Sequence, residues 1–262
     1  MEKNKKVKLI IGCVLTGIVV LMLIMGIFFN PYDPMAMNGD LKFAKSSFRH
    51  IFGCDQFGRD IFSRVLVGVR ETMIVAGCVV LIGTVVGTII GTFTAYFGGW
   101  IDEVIMRLND AVLAFPSVLL ALLVIALFEN GRNTLILALG IAFIPSYARI
   151  IRGEVLKIKN LDYIQCVKLF GAKDFRVIFV HILPNLKTVM LSSILIGFNN
   201  AVLAEAGMSF LGLGVSPTEP SLGRMLSEAQ SFIFSRPMMA VFPGLVIVVM
   251  ILGFSLLSGA LE

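Results

Sequence analysis

Long runs without Asp, Glu, Lys or Arg recur along the chain. Six stand out: Leu9 to Tyr32, Thr72 to Ile101, Ala111 to Phe128, Asn133 to Ala148, Thr188 to Ala204 and Pro237 to Leu261. A hydrocarbon core about 30 Å thick needs roughly 20 apolar residues at about 1.5 Å rise each. The fourth and fifth runs fall short of that, so their spans are expected to use Arg149 and Lys187, whose long stems can snorkel to the headgroups. The pattern predicts an all-α membrane protein with six transmembrane helices.

Polar and small residues punctuate these runs. In GTVVGTIIG, Gly83, Gly87 and Gly91 repeat every four residues. Lipid gives helices no hydrophobic reason to associate, so a smooth stripe that lets backbones approach predicts a packing face, with a part in gating as the alternative. Phe115-Pro116 is expected to open the third span after a short turn containing Trp100, Asp102, Glu103, Arg107 and Asp110, and Pro145 to kink the fourth. Ahead of the second span, Ile61, Phe62, Val65, Leu66 and Val69 fall at helical spacing, with Arg59, Asp60, Ser63, Arg64 and Arg70 facing elsewhere. That predicts an amphipathic helix lying on the membrane interface. Asn199 and Asn200 sit within the fifth run, where an amide facing lipid is costly, so each faces either a cavity or another helix. Glu205 follows near the end of that run, at an outer gate or among headgroups.

Composition agrees with the pattern. Hydrophobic residues make up 57% of the 262 residues and charged ones only 15%, with a mean hydropathy of +0.92. That excludes a soluble basic domain for nucleic acid despite the net charge of +5. Lysines before the first span and a basic cluster between the fourth and fifth predict that both segments, and hence both termini, are cytoplasmic. Cys13, Cys54, Cys78 and Cys166 show no CxxC spacing, so no metal knuckle or disulfide framework is expected. With only His50 and His181, no HExxH site or His-based triad can form in the membrane, and without a Gly-Lys dipeptide there is no P-loop. An intramembrane enzyme is therefore disfavoured. So is an ATP-independent channel or secondary transporter, since no charged residue lies deep in a span to relay ions.

The basic island at 150–184 carries the most specific signal. In LDYIQCVKLFGAKDF, apolar positions follow a rough helical period from Asp162, and Gly171 is a natural helix stop. A second amphipathic run, DFRVIFVHILP, leads to Pro184, which suits the first turn of the fifth span. Two short helices joined at glycine can act as a lever, or can simply rest on lipid.

QCVKLFGAKDFRVIFVHILPN resembles the EAA loop of bacterial ABC importer membrane subunits, with Gly171, Leu183 and Pro184 at the matching spacing and Gln165-Cys166-Val167 where that family has Glu-Ala-Ala. CDQFGRDIFSRVLVGVR, YFGGWIDEVIMRLNDAVLAFPSVLLAL, YARIIRGEV and AEAGMSFLGLGVSPTEPSLGRML look like the second membrane subunit of dipeptide, oligopeptide and nickel importers, from about Tyr32 to Leu257. The C-terminal SLLSGALE departs from the charged tail usual in that family.

The resemblance implies a type I, MetI-like importer permease fold of the bacterial cytoplasmic membrane, with a peripheral first span and outer loop over residues 1–70 and a five-helix core over 71–262. It implies four partners besides lipid: a homologous second permease, two cytoplasmic ATPases and an extracytoplasmic solute-binding protein. ATP and magnesium would sit on the ATPases, leaving no cofactor or metal in this chain. Asp162, Tyr163, Gln165, Cys166, Val167 and Phe170 would belong to a coupling helix docked on an ATPase, followed by Gly171, Ala172 and Asp174 at the elbow and Pro184 at the transmitting span. The translocation path would involve Asn199, Asn200 and Glu205. Short peptides are the expected cargo, with nickel or a metal chelate as the alternative.

Overall fold

The computed structural model describes residues 2–128, 130–214 and 219–261. Part of the AEAGMSFLGLGVSPTEPSLGRML stretch, residues 215–218, lies outside the described residues. The helices are α1 (Glu2–Phe28), α2 (Ile61–Phe97), α3 (Gly99–Leu113), α4 (Ser117–Leu127), α5 (Arg132–Lys159), α6 (Asp162–Leu169), α7 (Asp174–Arg176), α8 (Lys187–Phe210), α9 (Leu222–Ala229) and α10 (Met238–Leu261). Five helical runs are long and apolar enough to cross a membrane, or six if α3 and α4 together make one bent span.

Four boundaries differ from the sequence expectation. The interfacial helix at 61–70 is not separate: it forms the first turns of α2, a 37-residue helix about 55 Å long at 1.5 Å per residue. Asp60 caps it, its carboxylate accepting the Ser63 N–H at 2.8 Å. Arg64 does not face lipid or water either, being 2% exposed.

The third run is broken rather than straight. Trp100 to Asp110 lie in α3, not in a turn, and α3 meets α4 at 88°. Gly98 and Gly99, at φ +67° and +61°, divide α3 from α2. Pro116 turns the chain into α4 because it has no N–H to donate and biases Phe115 away from helix. Asn109 on α3 donates to the Pro145 carbonyl at 3.1 Å, and Arg152 on α5 forks onto Asp102 with two bonds of 2.6 Å. These contacts pin α3 along α5.

The fourth predicted span, α5, runs past its expected end at Ala148 to Lys159, which narrows the non-helical part of the 150–184 excursion. Nor does Pro184 begin the fifth span. A continuous helical run extends from Asp174 to Phe210, passing through a π-helical stretch at Val177–Ile182 and a 3-10 turn at Leu183–Leu186 before α8. Widening and then tightening the coil accommodates a proline ring and a missing donor that a regular helix would not.

The central packing is α2 against α5. A Cβ on Gly83 would lie 2.8 Å from the Tyr147 ring, one on Gly87 would lie 2.5 Å from the Tyr147 Cβ, and one on Gly91 would lie 2.5 Å from the Ala148 carbonyl oxygen. Such approach is possible only without side chains on α2. From α8, a Cβ on Gly197 would meet the Tyr147 hydroxyl at 1.8 Å. Glycines on two helices thus enclose one tyrosine of a third. α1 packs on α10 and the start of α2 and keeps most of its surface exposed.

Gly87→Ala should force α2 off α5, because its nearest neighbours include the Ala148 backbone nitrogen at 2.9 Å. Overpacking of this kind costs about 1–3 kcal/mol. Thermal unfolding of the detergent-solubilised chain should register that loss for Gly87→Ala and none for Gly77→Ala, where nothing lies within 4 Å.

Candidate functional site

Two surfaces and one buried ion-pair network stand out. At the end of the bundle carrying α6, Ala95, Tyr96, Ile151, Val155, Ile164, Val177, Ile178, Ile182 and Leu186 form a second apolar core, separate from the one between the spans. Ile164 is the residue that fastens α6 to it, being 0% exposed. Val167 and Ala172 pack partly against the same core, so Val167 does not belong to the free face of α6. Lys168 lies over the Tyr96 ring at 4.4 Å, and Tyr96 donates to Asp174 at 2.6 Å. Asn185 donates to the Tyr163 hydroxyl at 2.7 Å.

The opposite face of α6 is bare. Asp162, Tyr163, Gln165, Cys166 and Gly171 are exposed, Leu169 is 86% exposed and Phe170 is 92% exposed. A short helix anchored by the buried Ile164 thus ends in two uncovered large apolar side chains. Gly171 closes it with φ +81°, its N–H bonded to the Lys168 carbonyl at 2.9 Å and the Ala172 N–H to the Val167 carbonyl at 3.3 Å. That paired closure is a Schellman cap, which needs a left-handed residue at this position. Pro184 is exposed within the 3-10 turn that follows.

A groove of about 450 Å³ lies between α4, α5 and α8. Ser117, Ser146, Ser193, Asn200 and Tyr147 supply its polar groups, and none of its lining residues is charged. The amide of Asn199 turns to α10 instead: in the orientation that satisfies both partners it donates to the Ile251 carbonyl at 3.3 Å and accepts from the Ser255 N–H at 3.2 Å. Glu205 is not on the groove either. It is fully buried between α2 and α8, accepting from Thr72 and Ser209, each at 2.7 Å. Short hydroxyl partners on both oxygens replace the water this carboxyl lacks.

The network at the opposite end, carrying α9, was missed in the sequence. Arg59 and Arg64 both donate to Asp55 Oδ2, at 2.6 and 2.8 Å, and both reach Glu228 Oε2, at 2.8 and 2.9 Å. Arg224 adds a bond to the other Glu228 oxygen at 3.2 Å. The loop before α2 is thereby tied to α9. The signal available was four alternating charges from Asp55 to Arg64; Glu228 lies too far along the chain for spacing to reveal it.

Residues 71–262 match the model of the family described as binding-protein-dependent transport system inner membrane component. The chain belongs to that family. It is the permease subunit of an ABC importer. The permease is 34% identical to the dipeptide transport system permease protein DppC of Alkalihalophilus pseudofirmus, over 100% of this chain and 86% of that one. It is 39% identical to the glutathione transport system permease protein GsiD of Pectobacterium atrosepticum, over 81% of this chain and 71% of the other. Among solved structures, an inward-facing form of the MetNI methionine ABC transporter has the same fold, with a TM-score of 0.63 at 18% identity over 76% of this permease and 96% of the matched chain.

Arg64→Ala should strand Asp55 and Glu228 with fewer donors. Breaking a buried ion pair costs about 3–5 kcal/mol, so the variant should unfold at a clearly lower temperature than Arg107→Ala, whose partner Glu103 is exposed.

Proposed function

We propose that this permease passes short peptides across the bacterial cytoplasmic membrane by alternating access. The observation that carries this reading is the groove, whose polar groups are hydroxyls and one amide. Such groups exchange hydrogen bonds with peptide amides as water does. A bare nickel ion would instead need imidazole, thiolate or carboxylate ligands, none of which lines the groove. The relatives named for dipeptide and glutathione transport point the same way.

On this reading α6 is the contact with a cytoplasmic ATPase, which places both termini in the cytoplasm. Tyr163, Cys166, Leu169 and Phe170 enter a groove on that partner, and Gly171 sets the angle at which the helical run from Asp174 leaves. ATP closure on two such partners moves α6, and the run ending at Phe210 carries the motion to Asn200. A second homologous permease completes the path, and a solute-binding protein delivers cargo at the α9 end. Two-state switching of this kind needs each ligand to favour one arrangement.

In cells lacking the gene, restoring it should restore uptake of radiolabelled dipeptide and leave nickel uptake unchanged. Nickel uptake without peptide uptake would overturn the cargo assignment. Phe170→Asp should abolish co-purification of the ATPase without reducing the amount of inserted permease. Gly171→Val places a β-branched residue at positive φ, a strain of about 1–2 kcal/mol, and should blunt the ATPase response to loaded binding protein; an unchanged response would exclude the coupling role.

A further inference from the structure

At the α9 end, three side chains of different chemistry converge in the loop between α1 and α2. A ring nitrogen of His50, Cys54 Sγ and a carboxylate oxygen of Asp60 all lie within 4.8 Å of one another. Cys54 and Asp60 are both buried, each 3% exposed, and His50 is largely covered. The peptide transport reading uses none of them, and none lines the groove.

We propose that His50, Cys54 and Asp60 bind a divalent transition-metal ion of the zinc type, which fastens the loop to the start of α2. One imidazole, one thiolate and one carboxylate are the donors that borderline-soft dications take. With the thiol proton lost on binding, the two anionic donors would cancel the charge of the ion and leave the loaded cluster neutral. Zinc bond lengths of about 2.0–2.3 Å place tetrahedral ligand atoms roughly 3.3–3.8 Å apart. His50 Nδ1 and Asp60 Oδ1 are hydrogen-bonded at 2.9 Å, closer than that spacing, so an ion would take the place of the shared proton and move the two atoms apart.

The surroundings hold the donors in place. The second Asp60 oxygen is fixed by the Ser63 N–H, and the Tyr32 ring stacks on His50 with centroids 4.6 Å apart. Cys54 and Asp60 face each other across an antiparallel bridge, closed by the Ile61 N–H on the Gly53 carbonyl and the Asp55 N–H on the Arg59 carbonyl, both at 3.0 Å. Gly53, at φ +74°, lets the loop turn against Ala44, whose carbonyl oxygen would lie 2.5 Å from a Cβ there. Partners of this kind set ligand orientation. Cys54 also borders a cavity of about 330 Å³ beside the start of α10, which gives an ion access.

The test is cobalt titration of the purified full chain in detergent, with any affinity tag removed. One equivalent of Co²⁺ should produce a thiolate-to-cobalt band in the near ultraviolet, and Zn²⁺ should displace it. Cys54→Ser, close in shape to the parent, should lose the band, while Cys13→Ser, Cys78→Ser and Cys166→Ser together should keep it. His50→Gln should weaken Zn²⁺ competition by at least about tenfold. No band in the parent, a band retained in Cys54→Ser, or an unchanged affinity in His50→Gln would each overturn the proposal. Peptide uptake would be untouched by any of those results, so this assignment and the cargo assignment fail separately.

Discussion

The approach of α2 to α5 is the constraint on which the rest of the molecule depends. Hydrocarbon solvates apolar side chains as well as another helix does, so association has to come from close packing and from polar groups that have nowhere else to go. Gly83, Gly87 and Gly91 remove the side chains that would hold the two helices apart, and Tyr147 fills the space from the other side. Because the same tyrosine abuts Gly197, this seam also fixes where α8 runs. The floor of the groove is therefore made by the contact that holds the bundle together.

Each end of the bundle uses a different device. At the α6 end, the overlong α5 carries Ile151 and Val155 beyond the spans, where they build a small core with Ile164 and Val177. At the α9 end the material is ionic: Arg59 and Arg64 share two carboxylates, and Asp55 and Glu228 come from segments far apart in the chain. A buried pair of this kind adds little over an apolar substitute of the same shape, but loss of one member is costly. It therefore enforces one register between the loop and α9 more than it adds stability.

What the sequence made legible follows the same division. Composition and run length showed a helical membrane bundle, because solvation by lipid acts on each residue independently of its neighbours. The glycine stripe was readable since its period of four lies within one helix. Helix ends were read less well. Arg64 looked like the polar face of a surface helix because nothing nearby in the chain identifies Glu228 as its partner. Pro184 looked like a helix start because proline usually is one, and only the π and 3-10 turns beside it explain its tolerance inside a longer run. Asn199 and Asn200 are adjacent, yet about 100° of helical rotation sends one to α10 and leaves the other on the groove.

The neutrality of the groove bears on how a carrier of peptides can work. A path must hold its cargo well enough to admit it and weakly enough to let it leave. A carboxylate or ammonium in the groove wall would pair with a peptide terminus in a medium where such pairs are strong, and release would then be slow. Serine hydroxyls and the Asn200 amide offer hydrogen bonds that cost little to exchange for those of water. On the peptide reading, this half of the path therefore does little to choose among side chains. Selection falls to the protein that delivers the cargo, and what the bundle contributes is the switch between two faces of one weakly binding cavity.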